Sequence, residues 1–275
     1  MLLLPRVRKT SENTDMVAVE NRLTKALTGK RDLLAVYYTA GFPALNDTVA
    51  IGESLAKNGV DVIEIGIPFS DPVADGPVIQ ASNKVALNNG MNLLTLLEQV
   101  KELRSKVETP VVLMGYFNPV FQFGVDRFCK AAAEAGVDGL IIPDLPLTEY
   151  VELYKEKFEQ HGLINISLIS PTTSEDRIRK IDENASGFIY AVSASSTTGA
   201  KKEFDDDQLE YFKRLQSMNL KNPFFIGFGI SNASTFAAAC RYGSGAIIGS
   251  AFIAKLQSAS NLEKDISDFI KSIRS

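Results

Sequence analysis

The stretch Val62–Gln80, V-I-E-I-G-I-P-F-S-D-P-V-A-D-G-P-V-I-Q, passes from a short apolar strand into a loop of prolines, glycine and carboxylates. Glu64 lies inside the apolar run Val62–Ile67, where burying a carboxylate is costly unless something compensates it. Asp75 follows in a loop stiffened by Pro68, Pro72 and Pro77. A strand-borne carboxylate beside a loop-borne one suits acid/base chemistry, because two surroundings can push two pKa values apart. The same residues also fit a strand with one outward Glu followed by a solvated acidic turn.

Outward from this stretch the chain alternates apolar runs with helical periodicity. The expected strands are Leu33–Thr39, Val62–Ile65, the V-V-L-M-G run after Pro110, Gly139–Ile142, Ile164–Ile169, Gly187–Val192, Phe224–Gly227 and Ala246–Ile248. The expected helices are Val19–Leu27, Asp47–Lys57, Val78–Leu87, Leu93–Lys106, Asp126–Ala135, Glu149–Gln160, Glu175–Asp182, Asp206–Met218, Ala233–Tyr242 and Leu262–Ile273. Near-continuous apolar strands suit a parallel sheet buried on both faces. Eight βα units with no linker or composition break predict one (β/α)8 TIM barrel, residues 19–275. It carries an extra N-terminal helix and an extra helix after strand 2; a doubly wound open sheet is the alternative. Residues 1–18 read as a poorly ordered extension.

Composition excludes several classes. The chain has 275 residues, 45% of them hydrophobic, and a net charge of −4, so no basic surface for nucleic acid is advertised. Its short N-terminal apolar run lacks the length of a signal core or membrane span, which predicts a cytoplasmic protein that uses neither membrane nor nucleic acid. His161 is the sole histidine, so a multi-His metal site is ruled out; its place in Q-H-G suits a capping or surface role rather than a triad. Cys129 and Cys240 sit in Ala-rich helical patterns and read as buried, inert residues.

In a barrel of this kind, function gathers at the C-terminal ends of the strands. Those ends carry Glu64 with Asp75, Tyr116 with Asn118, Asp144, Ser170, Tyr190, Gly227–Gly229 and Gly249-Ser250. Gly227 and Gly229 let backbone approach a ligand closely. Gly249-Ser250 can open a helix whose N–H groups favour an anion, so the last two loops predict a phosphate site. None of these ends carries a Lys, which disfavours a Schiff-base aldolase. The carboxylates are not clustered with His, which disfavours a metal-dependent aldolase or epimerase. Proton transfer on a phosphorylated substrate remains, run by Glu64, Asp75 and Tyr190.

The segment Ile63–Gln80 resembles the signature of the tryptophan synthase α subunit. Similar in family order are Y-T-A-G-F-P (Tyr38–Pro43), L-M-G-Y-F-N-P-V (Leu113–Val120), P-D-L-P (Pro143–Pro146), G-F-G-I-S (Gly227–Ser231) and G-S-A (Gly249–Ala251). The resemblance implies a (β/α)8 barrel that cleaves indole-3-glycerol phosphate to indole and glyceraldehyde 3-phosphate by a retro-aldol step in tryptophan biosynthesis. It implies Glu64 as the acid/base at the indole C3 side and Asp75 as the carboxylate holding the indole N–H. Tyr190 matches the strand-six tyrosine beside them. Gly199, Gly229, Gly249 and Ser250 match phosphate-binding positions. Tyr37, Met114, Ile141, Ile169, Thr198 and Phe228 match positions around the indole ring.

No metal and no cofactor are implied in this chain; pyridoxal phosphate is expected only in the partner β subunit of an α2β2 complex. Pro68, Asp71 and the Tyr116–Val120 stretch, with Asn118, match the face that meets it. One departure falls in the mobile lid after strand six, where the family commonly has Arg and then Ser-Gly-x-Thr-Gly. Ala194 and Ser196 occupy the Arg and first Gly positions here. Losing Gly removes easy access to positive φ, so lid closure and β-subunit control are expected to differ. A phosphate-sugar isomerase or epimerase, and a partner-binding activator with little turnover of its own, are the other readings of the same residues.

Overall fold

The computed structural model describes residues 19–193 and 204–275. The expected disordered extension, the Ala194–Ser196 departure, Thr198 and Gly199 lie outside the described residues.

Nine strands form one parallel sheet: β1 (Leu33–Thr39), β2 (Val62–Gly66), β3 (Val111–Met114), β4 (Gly139–Ile141), β5 (Ile164–Ile166), β6 (Leu168–Ile169), β7 (Ile189–Val192), β8 (Phe224–Gly227) and β9 (Gly245–Ile248). Their order is β5-β4-β3-β2-β1-β9-β8-β7-β6, with every pairing parallel. β5 and β6 are two halves of the expected Ile164–Ile169 strand. β5 pairs with β4 and β6 with β7, while the Ser167 carbonyl between them accepts the Tyr190 amide at 3.0 Å. One stave therefore changes neighbours midway, and eight staves close the barrel. The break at Ser167 is where the stave trades one ladder for the other.

Side chains alternate across the wall, as the pleat requires. Leu33, Ala35, Val62, Val112, Ile141, Ile164, Ile166, Tyr190, Phe225 and Ile247 fill the interior, together with the stacked pair Phe188–Phe225. Leu34, Val36, Ile63, Ile65, Leu113, Leu140, Ile189, Ile226 and Ile248 meet the helices outside. Cys129 and Cys240 are buried, unpaired helix residues, as expected. His161 ends the helix Lys155–Gln160 and lies 3.4 Å from Asp126.

The N-terminal helix Arg22–Leu27 closes the barrel floor. Asn21 caps it, accepting from the Leu23 and Thr24 amides. Its Nδ2 reaches across to the Asp138 and Gly162 carbonyls, which fixes the helix over the strand N-termini. Leu23 then points fully buried into the interior cluster. It lies so close to the wall that a methyl on Gly139 would meet it at 3.3 Å. Beside it the buried Asp138 carboxylate binds Arg22, Arg104 and the Val111 amide.

The expected extra helix after strand 2 is present: Pro77–Asn88 and Leu93–Arg104 both lie between β2 and β3. A helix that the sequence pattern did not predict, Phe117–Phe123, follows β3. Its run Y-F-N-P-V-F-Q-F is aromatic and carries Pro119, so it lacks helical periodicity. The distant Asp144 carboxylate caps it instead, accepting the Phe117 amide at 2.8 Å. Among the described residues no helix is long and apolar enough to cross a membrane.

Candidate active site

Glu64 is central on β2, in register with Tyr37 of β1 and Val112 of β3. The register points its side chain into the barrel, where it is fully buried. Neither carboxyl oxygen has a hydrogen-bond partner among the described residues. A buried, unpartnered carboxylate is among the costliest groups a core can hold. Burial accordingly pushes its carboxyl up from the ordinary 4.5 to about 8, so Glu64 is protonated at neutral pH.

Asp75 sits in the loop between β2 and the helix Pro77–Asn88, half-buried. Burial raises it to about 6, against the pull of the Tyr116 hydroxyl at 3.5 Å. That hydroxyl also accepts the Ala74 amide at 2.9 Å, and its ring stacks on Phe69 at 4.9 Å. The carboxylate loop is thus braced from β3. At pH 7 the two carboxyls are held in opposite states: a protonated acid on the strand and an ionised group on the loop.

Two tyrosines cross this space, each over a glycine. A Cβ on Gly66 would lie 2.2 Å from the Tyr37 hydroxyl, and one on Gly227 would lie 2.4 Å from the Tyr190 hydroxyl. Each strand-end glycine is therefore the room its tyrosine occupies. Burial raises both phenols, Asp75 and Glu64 adding to the rise at Tyr37, and Glu64, Tyr37 and Asp75 adding to it at Tyr190. Both stay neutral hydrogen-bonding groups.

Above Glu64 opens a cleft lined by Tyr37, Ile67, Asp75, Asn83, Met114, Tyr116, Leu168 and Phe228, among others. Tyr37, Met114, Phe228 and Asp75 meet there. Ile141, the register partner of Met114, is fully buried in the interior cluster against which Met114, Leu168 and Phe228 pack, and does not itself line the cleft. Ile169 departs from expectation. It is buried in the outer layer against the helices, and Leu168 faces the cleft in its place. The parity of β6 decides this: Ile169 pairs with the outward Ala191 and Leu168 with the inward Tyr190.

The two glycine loops flank the same mouth. Phe228 and Gly229 both take positive φ, +68° and +80°, a conformation an L side chain such as Phe228 adopts only at a cost. Ser193 holds the turn by donating to the Phe228 carbonyl at 2.6 Å, and Gln208 fixes Ser193 in turn. Gly249 precedes the helix Ser250–Gln257 and supplies no side-chain cap, so its first N–H groups are open to an anion. The Tyr37 ring lies about 3.5 Å from a Cβ placed on Gly249, which puts the anion-type loop against the cleft wall.

Pro68 is half-buried and Asp71 exposed on the loop after β2, while Asn118 is exposed on the helix Phe117–Phe123. Val73 on that loop and Phe121 on that helix are exposed apolar residues, which the motifs did not single out. Asp144 caps a helix, and the Ser170 amide donates to Thr173 within a turn, so neither faces the cleft. Among the described residues no three His, Cys, Asp or Glu side chains group as for a metal ion.

A parallel barrel that gathers a buried, unpartnered strand glutamate, a loop aspartate and two glycine turns at its C-terminal end has the build of a (β/α)8-barrel enzyme. The family model described as Tryptophan synthase alpha chain matches residues 23–274. A tryptophan synthase alpha chain from Flavobacterium psychrophilum is 54% identical over 253 residues, covering 92% of this chain and 99% of that protein. The chain belongs to the tryptophan synthase alpha chain family. The solved tryptophan synthase alpha chain from Legionella pneumophila has a TM-score of 0.82 at 35% identity, covering 93% of this chain and 96% of that one. A tryptophan synthase complex from Pyrococcus furiosus matches with a TM-score of 0.81 at 31% identity, covering 89% of this chain and 98% of that one.

Proposed function

We propose that this chain cleaves indole-3-glycerol phosphate to indole and glyceraldehyde 3-phosphate as the α subunit of a cytoplasmic α2β2 tryptophan synthase. The observation that carries the reading is Glu64, buried without a partner and protonated at neutral pH, beneath a cleft walled by an ionised Asp75.

Glu64 gives its proton to indole C3, and the ring nitrogen becomes cationic. Asp75 faces that N–H and stabilises the charge in a site where little water screens it. The Glu64 carboxylate then takes the proton of the adjacent glycerol hydroxyl. The C3–carbon bond breaks, its electrons return to the ring, and the aldehyde forms. Glu64 ends protonated, as it began, so no water, metal or organic cofactor enters the balance; pyridoxal phosphate belongs to the β subunit. Tyr190 orients Glu64. Tyr37, Met114, Ile141 and Phe228, with Leu168 rather than Ile169, enclose the ring, and Thr198 completes the wall. Gly199, Gly229, Gly249 and Ser250 receive the phosphate. Pro68, Asp71 and Asn118 face the β subunit.

The test is indole formation from indole-3-glycerol phosphate, with and without β subunit. Glu64→Gln and Asp75→Asn are each expected to lose about 10²-fold or more, the scale of a missing general acid or charge stabiliser. Turnover near that of the unmodified protein in either variant removes that residue from the mechanism.

A further inference from the structure

Asn83 stands in the second turn of the helix Pro77–Asn88, the helix that begins directly after the Asp75 loop. Its neighbour Ser82 is spent on structure, its hydroxyl bonding Thr39 at 2.7 Å and the Ile79 carbonyl at 2.8 Å. That pair pins the helix to the end of β1. Asn83 shares none of this. It is 3% exposed, its side-chain carbonyl has no hydrogen-bond partner, and it lines the same cleft as Asp75 and Tyr37.

An asparagine buried in this way lowers stability unless something satisfies it. In that wall Ile67, Met114, Leu168 and Phe228 supply apolar surface, Tyr37 fills the room left by Gly66, Tyr116 braces the loop, and Asp75 carries charge. Asn83 alone offers a neutral acceptor with its capacity unused. We propose that Asn83 is a substrate-specificity residue, its carbonyl sharing with Asp75 the N–H edge of the bicyclic ring. This rests on the function proposed above. The neutral amide adds a second acceptor at the atom that becomes cationic, without adding the repulsion of a second carboxylate beside Asp75. The ring is then fixed by two acceptors on one edge, which sets its rotation in the cleft.

The proposal separates from a structural role by the sign of two effects. Asn83→Leu keeps the γ-branched shape and removes the unsatisfied carbonyl, so it should raise the melting temperature of the ligand-free protein. It should also weaken binding of 3-(indol-3-yl)propyl phosphate, an uncleavable probe, by roughly fivefold to tenfold, the scale of one hydrogen bond. The benzofuran counterpart of that probe has a ring oxygen in place of N–H, and its affinity should change little. Asn83→Ser serves the same comparison should the leucine variant fold poorly.

Equal loss on both probes, or no loss on either, overturns the proposal: the amide would then act on shape or on nothing. Indole release by the unmodified protein is measured alongside. Its absence would refute the retro-aldol reading, whereas the ratio between the two probes tests Asn83 regardless of turnover.

Discussion

Replacing Glu64 by Gln should change how stability depends on pH more than it changes stability itself. Gln has the shape of a protonated glutamic acid and stays neutral at every pH. Folding lifts the Glu64 carboxyl from 4.5 to about 8, so between these values the folded state holds a proton that the unfolded state releases. Stability conferred by that proton is complete below the unfolded pKa and is lost as pH rises through the window. Linkage sets the loss at roughly 2–3 kcal/mol between pH 5 and pH 7, and about 4 kcal/mol by pH 8. In a chain of this size 2–3 kcal/mol corresponds to about 5–10 °C of melting temperature. Thermal unfolding of both proteins from pH 5 to 8.5 measures it. The curves should nearly meet near pH 5 and diverge as pH rises, Glu64→Gln melting higher at the alkaline end. Parallel curves would show that Glu64 ionises in the folded state as it does in the unfolded one, and the acid assigned to the ring carbon would be lost with it.

The kcat/KM profile for indole release should rise through about pH 6, as Asp75 ionises, and fall through about pH 8, as Glu64 loses its proton. Asp75→Asn should abolish the acid limb of the residual activity and keep the alkaline one; a limb near pH 6 that survives would assign it elsewhere. Gly227→Ala puts a methyl 2.4 Å from the Tyr190 hydroxyl and 2.5 Å from its ring. The expected cost is about 1–3 kcal/mol in urea unfolding with reduced turnover, and the Gly227→Ala, Tyr190→Ala double variant should lose less than the sum of its two single variants. Additive losses in that pair would mean the two groups do not compete for space.

The barrel was legible because its walls are one-sided statements. β1 and β8, and the helices Asp47–Lys57 and Ala233–Tyr242, occupy the predicted bounds, since apolar runs ended by Gly, Pro or Asn leave few alternatives. Glu64 was legible for the opposite reason, as a charge inside an apolar run. What escaped the sequence depends on tertiary partners. The Phe117–Phe123 helix needs the Asp144 carboxylate from another loop. The break at Ser167 arises because one stave serves two neighbours, and strand parity past that break put Leu168 rather than Ile169 in the cleft. Asn83 carries no local signal at all: within V-I-Q-A-S-N-K it reads as one polar helix position among several, and only its burial and empty acceptor set it apart.

Leu23 and the helix that carries it give the molecule a floor. With Asn21 and Asp138 fastening that helix beneath the strands, the described residues form a well closed at the strand N-termini rather than a tunnel. A well has one door. Both fragments of a cleaved substrate have to leave through the mouth by which it entered, so their departures are ordered, and whichever lies nearer the rim goes first. Under the proposed function the glycine loops hold the phosphate end at the rim and the buried carboxyl receives the ring below. The smaller, charged fragment therefore stands between the apolar one and the exit. A subunit seated over that single door governs traffic in both directions without touching the chemistry at the bottom.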